Sequence, residues 1–251
     1  SENPVLVGVV GIDWGDYEAW FSSQNIDTQY VKIIEEKPMA SAYITTDRQG
    51  NQICNFYPGA MAATPKISIS NSKNDIAIAI IAPDNTKRMM DFVNQCRHLR
   101  IPYVFDPGQN LPEISAADLN HALQGAKALI LNEYELELLL DKIGVTKKKL
   151  FSLIELLIVT RGEKGSTIES ADRKEEIDIA EPKHAVDPTG CGDAYRAGIL
   201  QGLMKNYSRK KMGQVAALLA TYNLEQYGTQ NHHFTMAEFA KRYEKSFQEG
   251  L

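Results

Sequence analysis

Little in this sequence could hold the chain together from outside a core. Cysteine is scarce: Cys54, Cys96 and Cys191 stand far apart in 251 residues. Three scattered cysteines offer neither a disulfide framework nor zinc spacing, and they fit a reducing compartment, read here as the cytoplasm. No apolar run approaches the roughly 20 residues of a membrane span, and nothing at the start resembles a secretory leader. Positive charge is also short, with 27 Lys and Arg against 32 Asp and Glu, a net charge of −5 and no basic tract. Nucleic acid is therefore excluded as the expected partner. The chain has no internal repeat and no low-complexity segment.

What is present is a large apolar fraction, 43% of residues, enough for one large α/β domain with at most a small appendage. Residues 5–10 form a short apolar run ended by Gly11, which predicts a buried strand. Residues 16–21 predict a helix that packs Trp20 and Phe21. The texture changes between Tyr30 and Pro58, where Val31-Lys-Ile-Ile, Ser41-Ala-Tyr-Ile-Thr-Thr and Gln52-Ile-Cys-Asn-Phe are β-rich. Asp47-Arg-Gln-Gly50-Asn51 separates two of these segments as a hairpin loop would, so an inserted β flap is expected.

Further along, strand and helix alternate. The runs 76–81, 101–105, 128–131 and 156–160 read as strands buried on both faces. An amphipathic helix over 86–100 carries Met89, Phe92, Val93, Cys96 and Leu99 on one side. Residues 133–140, 210–226 and 235–247 predict further helices, and 166–179 predicts an antiparallel excursion. Such alternation argues for a mostly parallel sheet with helices on both faces. Asp106, Asn132, Thr160 and Asp187 would each fall at or just after a strand's carboxyl end, the edge where open α/β sheets bind ligands.

The most specific chemistry lies in Asp187-Pro-Thr-Gly-Cys-Gly-Asp193-Ala-Tyr-Arg-Ala-Gly198. Two glycines ahead of a helix start give a tight backbone whose N–H groups can form an anion pocket. An acid inside such a pocket either caps the helix or accepts a proton from an attacking hydroxyl. Asn132 and Glu135, at i and i+3, share one face of a helix start. They are either a capping box or a magnesium-handling pair. Thr160, Gly162 and Gly165 end a strand and open a turn, which by itself is an ordinary β-turn.

Taken together these segments resemble the ribokinase-like (PfkB) carbohydrate and nucleoside kinases. The loop resembles that family's second signature, Asn132-Glu-Tyr-Glu135 its Asn-x-x-Glu motif, Val159-Thr160-Arg-Gly162-Glu-Lys-Gly165 its nucleotide-contacting strand and turn, and Phe105-Asp106-Pro107-Gly108 its Asp-Pro turn. Glu225-Gln-Tyr-Gly228-Thr229-Gln230-Asn231-His232 and Phe56-Tyr-Pro-Gly-Ala-Met61 resemble the bacterial adenosine-kinase-like branch. The likeness runs through essentially the whole chain.

The resemblance implies a three-layer α/β/α ribokinase-like fold, with the visible core starting over 1–29, a β lid over 30–60 and the kinase core over 61–251. It implies a first strand and a Gly-Gly segment ahead of Ser1. It makes Asp193 the catalytic base, with the amides of Gly190, Cys191 and Gly192 as the anion hole. ATP would be met by Asn132, Thr160, Gly162, Gly165 and Asn223, although Asn223 could equally be a solvated helix residue. Magnesium would be held through water by Glu135, a monovalent cation such as potassium by Asp187, and the acceptor by lid residues Tyr43 and Phe56. The expected reaction is phosphorylation of a primary hydroxyl of a nucleoside, adenosine to AMP first, with a ribose or fructose-derivative kinase as the alternative. The state would be monomer or homodimer, with no membrane partner. Two other classes fare worse. A dinucleotide oxidoreductase finds only Gly8-x-x-Gly11-x-x-x-Gly15, which misses the Gly-x-Gly-x-x-Gly fingerprint. A catalytically dead ligand sensor would not need an intact Asp193.

Overall fold

The computed structural model describes residues 3–47, 52–70 and 76–251. The expected hairpin loop residues 48–51 lie outside them. The chain divides into two compact units, one of residues 1–75 and 84–95, the other of Ile76–Pro83 and Cys96–Leu251.

In the first unit, β1 (Val5–Gly11) pairs in parallel with β2 (Asp27–Ile34) across the helix α1 (Gly15–Ser23). Val31-Lys-Ile-Ile, expected among the flap strands, therefore belongs to a parallel β-α-β step instead. Helix α1 buries none of its residues. The buried aromatic is Trp14, 4% exposed, with Phe21 stacked on it at 5.3 Å, while the predicted anchor Trp20 is 38% exposed. The flap itself is the antiparallel pair β3 (Ser41–Thr46) and β4 (Gln52–Tyr57).

The second unit holds a six-stranded sheet in the order β10-β9-β8-β7-β6-β5. Strands β5 (Ala79–Ile81), β6 (Tyr103–Phe105), β7 (Ala126–Asn132) and β8 (Ile154–Thr160) are parallel. β9 (Ser166–Glu169) and β10 (Lys174–Ile177) continue antiparallel, as the sequence predicts. The helix α2 (Thr86–Leu99) runs between β5 and β6.

Alternation along the strands explains the layers. Ala128, Ile130 and Ile158 join one cluster with Tyr195 and Ile199 of α6 (Cys191–Met204) and Ala216 and Ala217 of α7 (Arg209–Leu224). Their neighbours Leu129, Leu131, Leu157 and Val159 are buried as well, and successive strand residues point to opposite faces. α3 (Ala116–Leu123) and α4 (Glu133–Ile143) pack against β7, so helices cover both faces of a mostly parallel sheet. Each leucine removed from water there contributes about 1.5–3 kcal/mol. A short α5 (Lys147–Leu150) leads into β8, and α8 (Met236–Phe247) packs Phe239 and Tyr243 on Val215 and Leu218 of α7.

α6 and α7 approach closely because of Gly198. A Cβ there would lie 2.4 Å from the Ala216 Cα. That contact fixes the axis of α6, and so the direction in which its first turn points.

Candidate active site

α6 begins where the sequence predicts, and its cap has no side chain. The N-cap is Gly190 at φ 88°, with no side-chain cap bond. This left-handed conformation costs other residues about 1–2 kcal/mol. The site also lacks room, since a Cβ on Gly190 would sit 3.0 Å from the Thr229 Cβ and 3.2 Å from the Asn223 Oδ1. Asp193 is the third residue of the helix rather than its cap. Its side chain is 83% exposed, touching Arg196 Nη1 at 3.3 Å.

The expected anion hole changes in one member. The Cys191 N–H donates to the Pro188 carbonyl at 3.1 Å, and the Ala194 N–H to the Gly190 carbonyl at 3.0 Å. Among the described residues the N–H groups of Gly190, Gly192 and Asp193 meet no acceptor, as the first turn of a helix requires. The Cys191 amide is thus occupied by its own loop, while the Asp193 amide is not. Burial pushes the Cys191 thiol up, with the Asn223 amide opposing, so the thiol is not an activated nucleophile.

Two groups brace the loop. Asn223 on α7 is fully buried, not solvated, and its Nδ2 donates to the Thr189 carbonyl at 2.8 Å. The structure gives it a loop-holding role behind the turn. Asp187 follows no strand, contrary to expectation. It lies in irregular chain tied to the end of α7, the N–H of Val186 reaching the Leu224 carbonyl at 2.9 Å. Its Oδ1 accepts from the Thr189 N–H at 2.9 Å and its Oδ2 from the Gly228 N–H at 3.0 Å. Hydrogen bonds from the Thr189 side chain, the Thr189 amide and the Gly228 amide hold this carboxyl below the usual carboxylate range. A cation at Asp187 could use only lone pairs those bonds leave over.

Asn132 and Glu135 form a complete capping box on α4. The Glu135 N–H donates to Asn132 Oδ1 at 2.8 Å, and the Asn132 N–H to Glu135 Oε2 at 2.9 Å. Glu135 Oε1 is left over. Among the described residues no cluster of three or more His, Cys, Asp or Glu is arranged to hold a metal. A magnesium ion here would need most of its ligands from phosphates and waters, and the leftover Glu135 oxygen is the group of this pair that could meet one of those waters.

Thr160 pairs with Asn132 across the strand ends, so both residues stand at one sheet edge. After it the chain closes a tight turn, the Arg161 N–H donating to the Gly165 carbonyl at 2.8 Å. Gly162 at φ 58° and Gly165 at φ 77° serve that turn, and a Cβ on Gly165 would meet the Ile177 carbonyl oxygen at 2.0 Å.

In the flap, Tyr43 is opposite Asn55 and Phe56 opposite Ala42. Opposed residues share a face, so Tyr43 and Phe56 project from opposite faces of the ribbon. The two rings therefore do not share one face of the flap. Both are exposed, at 65% and 54%.

The sequence reading passed over Arg196. Its Nε is in ionic contact with Asp106 Oδ2, without the alignment of a hydrogen bond. Asp106 is fully buried just past β6. Burial pushes its carboxyl up to about 6, against the pull of Arg196, with Glu135 and Asp193 adding to the rise. The available signal was an arginine one helical turn after the candidate base.

Comparisons with known proteins bear on this arrangement. The sequence pattern of the pfkB family carbohydrate kinases matches residues 2–235. A nucleoside kinase of Methanocaldococcus jannaschii is 30% identical over 97% of this chain and 80% of its own length. The structure of a Burkholderia thailandensis nucleoside kinase in complex with inosine matches with a TM-score of 0.89 at 32% identity, covering 97% of this chain and 80% of that one. A Cryptococcus neoformans ribokinase in complex with ADP, at 20% identity and a TM-score of 0.80, shares the fold.

Proposed function

The chain belongs to the pfkB family of carbohydrate kinases, enzymes that phosphorylate an alcohol with ATP, and we propose that its own acceptor is a nucleoside. The hydroxyl phosphorylated is a primary one, and adenosine leads the candidates, giving AMP. Support comes from likeness over 97% of the chain to nucleoside kinases at 30% and 32% identity, against 20% for a ribokinase. The inosine bound by the Burkholderia protein is a purine nucleoside like adenosine.

The observation that carries the reading is the exposed Asp193 carboxylate beside unpaired amides at the start of α6. In this mechanism Asp193 takes the proton of the acceptor hydroxyl as its oxygen bonds to the terminal phosphorus of ATP. The bridging P–O bond breaks and ADP leaves. The N–H groups of Gly192 and Asp193, with that of Gly190, receive the charge on the phosphoryl oxygens. Thr160 and the turn through Gly162 and Gly165 border the nucleotide. Glu135 would hold magnesium through a water, and the ion would supply neutralisation of phosphate charge. A monovalent cation beside Asp187 would stiffen the loop without touching phosphate.

Asp193→Asn tests the assignment. The variant keeps the size of the side chain and loses its basicity. Its kcat should fall at least about 10²-fold while ADP affinity and Tm hold. Near-normal turnover would remove Asp193 as the base.

A further inference from the structure

Arg196 reaches Asp193 from one side and Asp106 from the other, and that bridge has no role in the mechanism so far. Asp193 is a short side chain, 83% exposed, and it caps nothing. Left alone, such a carboxylate samples several rotamers, and few of them point at the helix start. Its one described side-chain contact is Arg196 Nη1 at 3.3 Å. Arg196 is only 24% exposed, and its own anchor is held in the core. Asp106 is fully buried, its N–H donates to the Ile81 carbonyl at 2.9 Å, and Pro107 follows it. Gly108 then passes so close that a Cβ there would meet Pro83 Cγ at 2.6 Å.

Gly192 completes the picture. A Cβ at this position would lie 2.7 Å from Arg196 Nη1. Its missing side chain therefore makes room for the guanidinium as well as for an anion. Arginine suits the task because its planar fork presents donors along two edges. A lysine ammonium at the same place would have to choose one carboxylate.

We propose that Arg196 is a positioning residue for phosphoryl transfer: held by Asp106 at the end of β6, it fixes the carboxylate of Asp193 over the first turn of α6. The inference rests on the kinase reading above and adds the residue pair that aims its base. Misplacing a reacting group by about 1 Å can cost on the order of 10²-fold, so the effect belongs in kcat.

Four variants test it: Arg196→Gln, Arg196→Lys, Asp106→Asn and the double variant Asp106→Asn with Arg196→Gln. Arg196→Gln should lower kcat by about tenfold or more, with the KM for ATP and the Kd for ADP within about twofold of wild type. Arg196→Lys should recover little, and Asp106→Asn should share the deficit. The double variant should be no worse than the poorer single, because both act through one bridge. An Arg196→Gln enzyme with wild-type kcat, a raised KM for ATP at unchanged kcat, or additive losses in the double variant would each overturn the proposal. Crystal structures of wild type and Arg196→Gln give a readout independent of acceptor. Asp193 should occupy one rotamer in the first and several in the second, and an unchanged rotamer without Arg196 would overturn the proposal even if no nucleoside were turned over. Failure of the nucleoside reading would appear separately, as a wild-type chain inactive on every nucleoside.

Discussion

At the scale of single residues, the site is built on carboxylates in opposite circumstances. Asp187 is held ionised by the hydrogen bonds it accepts. Asp106 is pushed towards its neutral form by burial, to about 6. A carboxyl raised on folding stabilises the fold fully below its unfolded value, and that stabilisation is lost as pH rises through the folded value. The unfolded reference is 3.8, so the window runs from about pH 4 to about pH 6. A rise of about two units corresponds to about 3 kcal/mol. Asp106→Asn removes this term and leaves a pH-independent offset from the unpaired Arg196. The stability of the variant relative to wild type should improve by up to about 3 kcal/mol between pH 4 and pH 7. Urea unfolding of both proteins across that range reads it, and parallel stability curves would contradict it.

At the scale of elements, one helix start is occupied by its own side chains and the other is left open. On α4 the capping box satisfies two N–H groups reciprocally. On α6 the cap is a glycine, and among the described residues the N–H groups of Gly190, Gly192 and Asp193 meet no acceptor. In the proposed reading the two helices have different tasks. Glu135→Gln keeps an oxygen for the box and loses the charge that a magnesium-bound water would meet. Its Tm should stay within about 1–2 °C, since a preserved cap bond leaves little stability to lose. The magnesium concentration for half-maximal rate should rise several-fold. In the same cation series, potassium in place of sodium should raise the wild-type rate if the loop at Asp187 takes a monovalent ion. An unchanged magnesium titration would reduce Glu135 to a cap, and equal rates in both salts would remove the monovalent site.

At the scale of the whole molecule, the readable parts of the sequence were local ones. Asp187-Pro-Thr-Gly-Cys-Gly-Asp193 announced a loop and helix start because every residue in it constrains its neighbours. The strand-helix alternation gave the parallel sheet for the same reason, and the antiparallel end through β9 and β10 was visible in 166–179. What stayed hidden depended on partners distant in sequence. Val31 to Ile34 read as flap because β strands look alike, and only pairing with β1 distinguishes a core step from a lid. Tyr43 and Phe56 read only as lid residues, and the register is what sets them on opposite faces. Asn223 read equally as a nucleotide contact or a solvated helix residue, because nothing local shows that its helix end lies under the Thr189 carbonyl. The bridge from Asp106 through Arg196 to Asp193 joins the end of one strand to a helix far along the chain.

In the proposed reading of this pfkB-family kinase, Asp193, the amides at the start of α6 and the braced loop serve phosphoryl transfer to a nucleoside hydroxyl. The acceptor decides the account most directly. The decisive measurement is a panel of initial rates for adenosine, inosine, cytidine, ribose and fructose 6-phosphate, read as ADP release with ATP and magnesium in excess. The account predicts that adenosine exceeds ribose and the fructose derivative in kcat/KM by at least about tenfold, or about 1.4 kcal/mol of transition-state stabilisation. Ribose or the fructose derivative outcompeting every nucleoside would contradict it and make the protein a sugar kinase.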